Sequence, residues 1–415
     1  MTEAAGPGTG TVAGSLTTVE QYQSAILRAI APLPPVAAEL ADAEGCVLAE
    51  DVTAAVSLPS FDNSSMDGYA VRAADTGHSS ERSPATLPVT AEIAAGDTAD
   101  YRLAPGTAMR IMTGARLPAG ADAVVPVEWT NGAGDRVEIY RPAEHGNAVR
   151  YAGGDAIEGE TLLERGVRLR PMHIAVAASA GRTTVKVQPR PRVAVLSTGD
   201  ELTEPGTPLL PGQIWDSNSY MIAAAAREAG AVACRRSGVP DDPAGVLPAL
   251  EEQLTHADLL ITTGGVSMGG EHDVVKAALQ ELGTMAFRKV AVQPGMPQGF
   301  GTIGADRVPI FTLPGNPVSA YVSFQLFVRP ALAALQDTDD LRLPAVRATL
   351  AAAVRSPQGR RSYLRGVLSG GQVSPLTGQG SHQIAALGRA NALIIVPEQE
   401  TGLPAGVTVD VVVLP

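Results

Sequence analysis

The 415-residue chain is too long for one hydrophobic core, so roughly two to four domains are expected. With 45% hydrophobic and 18% charged residues it has the composition of a globular protein and not of a disordered one. Aromatics at 4% and a net charge of −12 argue against a base-stacking or nucleic-acid-coating surface. Cys46 and Cys234 are the only cysteines, which excludes a disulfide framework and a thiolate metal site.

No basic segment followed by an apolar core opens the chain, and no apolar run reaches membrane length; a cytoplasmic protein without membrane contact is expected. Residues 1–15 are small, Gly-rich and polar and read as a leader without function. Helical periodicity starts near Val19, with Tyr22, Ile26, Leu27 and Ile30 on one face, and Pro-rich residues 31–35 end it. The segment 58–72, LPSFDNSSMDGYAVR, sets Phe61, Met66 and Tyr69 among Asp62, Asn63, Ser64, Ser65 and Asp67. Such a loop packs against something while displaying polar groups; a well-packed turn is the plain alternative.

Short β segments follow at 87–93, 108–112, 123–127 and 137–140, separated by turn signals such as Pro105-Gly106 and Asn131-Gly132. Arg110-Ile111-Met112-Thr113-Gly114 ends one strand in a hydroxyl and a glycine, and Gly153-Gly154-Asp155 closes the region. Residues 157–187, with an Ala-rich helix at 171–180, return to the first packing layer, so the β domain is read as an insertion.

After Pro189–Pro191 the alternation of strand and helix is plain. Strands are expected at 192–198, 231–237, 259–263, 287–292 and 309–313, with helices at 220–229, 246–254 and 318–328. Repeated strand–helix units imply a parallel sheet, whose ligands bind beyond the strand carboxyl ends. Three loops converge there: 198–202, 263–273 and 313–317. The middle loop, TGGVSMGGEHD, offers Gly264, Gly265 and Ser267 for close approach to an anion and ends on Asp273. From Leu343 short strands return, giving a C-terminal β domain on which Arg360, Arg361 and Arg365 form a basic face.

The loops supply Asp200, Glu201 and Asp273 but no nucleophile–base pair at recognisable spacing, no GxxxxGK[ST] and no GxGxxG. Carboxylates beside phosphate-cradling glycines suit a Mg²⁺ that bridges substrate oxygens. Lys289 is a candidate anion contact, with plain solvation as the alternative. The residues alone thus point to a metal-assisted enzyme acting on a phosphorylated or nucleotide-derived ligand.

The segments FDNSSMDGYAVR (61–72), RIMTGARLPAGADAVV (110–125), STGDEL (197–202), GQIWDSN (212–218), TGGVSMGGEHD (263–273) and LPGNPVSA (313–320) together resemble the molybdopterin molybdenumtransferases, the MoeA-like proteins related to the E domain of gephyrin. The likeness runs from about residue 16 to the end. It implies a multidomain α/β plus β architecture: an elongated packing domain (16–52 and 158–187), an inserted β-rich domain (53–157), an α/β domain resembling molybdopterin adenylyltransferases (188–337) and a C-terminal β barrel (338–415). It further implies a homodimer whose active site lies between the α/β domain of one subunit and the inserted domain of the other.

The implied reaction takes adenylylated molybdopterin and molybdate, inserts molybdenum into the dithiolene and releases AMP, with Mg²⁺ required. Implied partners are the adenylyltransferase that makes the substrate and the maturation proteins of molybdoenzymes. By resemblance, Glu201, Asp273, Asp67 and Lys289 are catalytic; the chemistry of the loop carboxylates makes Glu201, Asp273 and Asp200 the metal candidates. Thr113, Asp155, Gly199, Asp242, Gly264, Gly265, Ser267, Pro314, Gly315, Pro317, Arg361 and Ser381 bind substrate. Gln293 and Met296 stand where many members of the family carry lysines, which lowers the positive charge available to an oxyanion. Two rivals remain: an adenylyltransferase acting through the α/β domain alone, and a non-catalytic scaffold or paralogue.

Overall fold

The structure is a computed structural model that describes residues 16–132, 134–239, 243–264, 279, 284–339 and 343–415. The chain forms two compact units: residues 1–36, 45–47 and 188–415, and residues 37–44 with 48–187.

The centre of the first unit is a six-stranded sheet in the order Val232–Val239, Arg192–Thr198, Leu259–Thr263, Val308–Leu313, Pro297–Ile303, Ala286–Lys289. The first four strands are mutually parallel, Pro297–Ile303 runs against them and Ala286–Lys289 pairs antiparallel with it, so the sheet is mixed where the sequence implied a wholly parallel one. All of Leu259–Thr263 and Val308–Leu313 is buried, because both faces of the sheet are covered. One face packs Val193, Val195, Ile261 and Phe311 against Ile222, Ala226 and Phe327. The other packs Ala194, Leu196, Leu260 and Ile310 against Leu250 and Leu279.

Pro297–Ile303 is a strand that the sequence reading does not include. Its glycines answer to the neighbouring strands. A Cβ on Gly299 would come within 2.8 Å of the Phe287 ring, and one on Gly301 within 2.8 Å of the Met285 and Thr284 backbone. The expected strand at 287–292 is in fact two: Ala286–Lys289 edges the α/β sheet, while Val292–Gln293 pairs in parallel with Arg361 and Ser362.

The helical run Pro317–Leu335 extends past the expected end at 328 and contains a π-helical turn, Phe324–Val328. Pro330 has no N–H to give the carbonyl of Leu326, and Gln23 Nε2, from the helix Val19–Leu27, donates to that carbonyl at 2.8 Å. This run is 19 residues long with a mean hydropathy of 1.4, enough by length and composition to cross a membrane, contrary to the reading that no run reaches that length. It is 78% buried inside the protein, as a core helix is.

The C-terminal strands Arg361–Ser369, Gln372–Pro375, Ala345–Leu350, Thr408–Val413 and Ala392–Val396 close on themselves through a second pairing of Ala392–Val396 with Arg361–Ser369. Leu350, Leu364, Val373, Ile394 and Val411 fill this five-stranded barrel.

In the second unit a five-stranded sheet runs Ala123–Pro126, Gly68–Val71, Ala108–Ile111, Ala85–Ile93, Arg136–Ile139. The expected short strands are all present within a residue or two of their bounds, and the helix Pro171–Ser179 forms as expected.

Candidate functional site

In the first unit the carboxyl ends of three parallel strands meet through glycine. Gly264 has φ +100°, and a Cβ there would lie 2.8 Å from the carbonyl oxygen of Thr198. Its N–H donates to the carbonyl of Leu313 at 3.1 Å, so the turns after Leu259–Thr263 and Val308–Leu313 are joined. Gly315 follows, exposed, its own Cβ direction opening toward Gly264. Asn218, first residue of the helix Asn218–Glu228, donates through Nδ2 to the carbonyl of Gly315 at 2.6 Å, and its Oδ1 is buried without a partner. Pro317 opens the next helix, where a missing N–H costs nothing, and Pro314 is buried.

Gly199 has φ +148° and lies under the carboxylate of Glu201: a Cβ on Gly199 would meet Glu201 Oε2 at 2.6 Å. Any other residue at 199 would push that carboxylate away. Asp200 and Glu201 are both exposed, side by side on the turn. Their donor atoms are all oxygen, which suits Mg²⁺ held by one or two carboxylates with substrate phosphate and water completing the shell. Among the described residues no group of three or more His, Cys, Asp or Glu could hold a metal by itself. Asp242, Gly265, Ser267 and Asp273 lie outside the described residues.

Lys289 is exposed at the end of Ala286–Lys289. Two successive antiparallel pairings make that strand run the same way as Val308–Leu313, so Lys289 sits on the sheet edge that carries Gly264 and Gly315. Gln293 is engaged by the barrel, its Oε1 accepting from Arg360 at 3.3 Å, and Met296 gives its carbonyl to the Val290 N–H at 2.8 Å.

The barrel reaches the same edge through one loop. The carbonyl of Ser381 accepts from the N–H of Val318, the second residue of the helix after the LPGNP turn, at 3.1 Å. That loop is held by Arg365, which is 1% exposed and not part of a basic face. Its guanidinium donates to the carbonyls of Gly378 (2.6 Å), Gly380 (3.1 Å) and Gln383 (3.1 Å), while Nε has no partner. Burial draws the Arg365 pKa down. Arg361, four residues earlier, is committed elsewhere: it bonds Glu398 twice at 3.0 Å and also pairs with Glu20, tying the helix Val19–Leu27 to the barrel. The resemblance implies that Arg361 and Ser381 both bind substrate; in this structure Arg365, and not Arg361, holds the Ser381 loop. The contact of Asn218 with the LPGNP turn has no counterpart in the sequence reading.

In the second unit Asp67 and Thr113, 46 residues apart, are in direct contact. Asp67 Oδ1 accepts from the Thr113 N–H at 2.7 Å and from its hydroxyl at 2.8 Å. These bonds hold the exposed carboxyl of Asp67 below the usual range, with a smaller contribution from Arg110. Gly68 permits the close approach of the strands beside Asp67, since a Cβ there would overlap the carbonyl of Val125. Asp155 is exposed, its N–H donating to the carbonyl of Leu58 at 2.9 Å; no hydrogen bond links it to Asp67 or Thr113.

A mixed sheet with glycine-joined loops at the carboxyl edge, a closed barrel docked on that edge, and a separate β unit presenting an Asp–Thr pair define a multidomain α/β plus β protein. Comparison with known proteins makes this specific. Residues 17–181 match the MoeA N-terminal region (domain I and II), 194–334 a probable molybdopterin binding domain, and 347–414 the MoeA C-terminal region (domain IV). The chain belongs to the MoeA family.

It is 43% identical over 404 residues to molybdopterin molybdenumtransferase 2 of Mycobacterium tuberculosis, covering 95% of this chain and 99% of that one. Molybdopterin molybdenumtransferase 1 of the same organism is 37% identical over 423 residues, covering 96% and 99%. A crystal structure of a molybdopterin biosynthesis MoeA protein from Pyrococcus horikoshii superimposes with a TM-score of 0.81 at 32% identity, over 96% of this chain and 99% of that one.

Proposed function

We propose that this chain is a molybdopterin molybdenumtransferase that takes molybdate and adenylylated molybdopterin, inserts molybdenum into the dithiolene and releases AMP. The observation that carries this reading is the carboxyl edge where Gly264, Gly315 and the Glu201 turn meet, in a chain 43% identical to a protein named for that activity. Bound Mg²⁺ would neutralise phosphate oxygens and polarise the bond to the departing AMP. Glu201 and Asp200 would hold it, with Asp273 as a further ligand. The amides and glycines around Gly264, Gly265, Ser267 and Gly315 would face phosphate or molybdate oxygens, with Lys289 adding a positive charge on the same edge. Arg365 would fix the Ser381 loop against that edge, and Thr113 would hold Asp67 as a carboxylate aimed at the ligand.

We further propose a cytoplasmic homodimer in which the second unit of one subunit completes the edge of the other, bringing Asp67, Thr113 and Asp155 to the ligand. The four domains would divide as the resemblance implies, and the supplier of the substrate would be an adenylyltransferase. Incubating purified protein with adenylylated molybdopterin, molybdate and Mg²⁺ tests the reading. AMP released in step with molybdenum-loaded cofactor supports it; ATP-dependent adenylylation of free molybdopterin, with no molybdenum inserted, rejects it in favour of the adenylyltransferase.

A further inference from the structure

The turn bearing Glu201 is the first leg of a loop that has little of its own to hold it. Its backbone pairing is the two-residue ladder of Leu202–Thr203 with Ile214–Trp215, flanked by the Ile214 N–H on the Glu201 carbonyl (2.8 Å) and the Asp216 N–H on the Thr203 carbonyl (2.9 Å). Leu210, Ile214 and Trp215 on it are more than half exposed, so apolar burial contributes little to fixing it.

One side chain joins both legs. Arg235, on the edge strand Val232–Val239, donates through NH2 to Glu204 Oε1 at 2.9 Å, on the first leg. Its Nε donates to Ser219 Oγ at 3.0 Å, and Ser219 in turn donates from its N–H and hydroxyl to the buried carboxylate of Asp216 at 3.1 and 2.6 Å, at the end of the second leg. The guanidinium lies 3.4 Å over the Tyr220 ring, and the Tyr220 hydroxyl donates to Glu204 Oε2 at 2.9 Å. Stacking, a fork of directed donors and a carboxylate received from two sides define one orientation, which arginine supports and lysine does not.

We infer that Arg235 is a positioning residue: it staples the two legs of the 201–216 loop to the sheet and so fixes where the Glu201 carboxylate stands. The inference rests on the proposed function for what Glu201 does, but the anchoring itself is measured independently. The chain has two tryptophans, and Trp215 lies on the loop with its indole N–H on the Thr207 carbonyl at 2.9 Å. In a Trp129→Phe background, nanosecond anisotropy decay of Trp215 therefore reports loop motion.

Arg235→Gln is expected to raise the amplitude of fast Trp215 depolarisation about twofold and to lower kcat of molybdenum insertion about tenfold with KM changed far less. Arg235→Lys is expected to fall between, since it keeps the charge on Glu204 and loses the fork and the stack. Tyr220→Phe and Glu204→Gln, milder changes on the same network, should shift both readouts in the same direction if Arg235→Gln proves unstable. A mobile Trp215 with unchanged kcat, or an unchanged Trp215 in all four variants, overturns the inference while leaving the proposed function standing. Wild-type protein that inserts no molybdenum overturns the proposed function and with it the positioning role, whatever Trp215 reports about the loop.

Discussion

Asp67 and Thr113 meet through two short hydrogen bonds, 2.7 and 2.8 Å, both ending on one carboxylate oxygen. The second oxygen is thereby left turned to solvent with the charge intact. Asp67→Asn keeps an oxygen that accepts both bonds and removes the charge. Turnover is expected to fall at least about tenfold, while Tm moves by no more than about 2 °C, as for an exposed site away from the core. A much lower Tm would make the loop structural. The pKa of Asp67 is depressed on folding, so its contribution to stability is fully present above the unfolded carboxyl value of about 3.9 and is lost as pH falls through the lower folded value. Asp67→Asn should flatten the acid limb of the stability profile in that window, with a small pH-independent loss near neutrality and convergence with wild type at low pH.

Gly264 is expected to tolerate no side chain. Gly264→Ala sets a Cβ 2.8 Å from the Thr198 carbonyl in a backbone region that alanine disfavours. The cost is about 1–3 kcal/mol of stability, read from denaturant unfolding. Because the strain falls where the loops join, affinity for AMP with Mg²⁺ should drop more than stability does. Binding that survives at wild-type strength would place the ligand elsewhere.

The buried guanidinium of Arg365 gives a third test. Arg365→Met fills much of the same volume and leaves three carbonyls without their donor. Destabilisation of about 2–4 kcal/mol follows from orphaned buried acceptors, together with a rise in the KM for molybdate as the Ser381 loop loosens. Arg361→Met, which removes the links to Glu20 and Glu398, should lower stability without changing that KM. The reverse pattern would support a ligand role for Arg361.

Much of this architecture is legible in the sequence, and where it is not the reasons are physical. The central parallel strands announce themselves because both faces are buried and apolar residues follow one another, as in Leu259, Leu260 and Ile261. Pro297–Ile303 hides because Gly299 and Gly301 are set by the side chains of Phe287 and Met285, a property of the neighbours and not of the strand. The Asp67–Thr113 pairing is implied by motif likeness and would not follow from spacing, since 46 residues separate them. Arg361 and Arg365 lie on one strand four residues apart, so composition gives both the same chemistry. Only the barrel wall decides that one bonds carboxylates and the other bonds carbonyls. The link from Asn218 to Gly315 is not legible in the sequence, because that contact spans 97 residues.

The most direct measurement of the central claim is a crystal soaked with AMP, Mg²⁺ and molybdate. Anion density beside Gly264 and the Gly315 turn, with a cation between the AMP phosphate and Glu201, is the predicted result. Phosphate and molybdate bound away from the carboxyl edge of the sheet, with Glu201 facing only water, would contradict it.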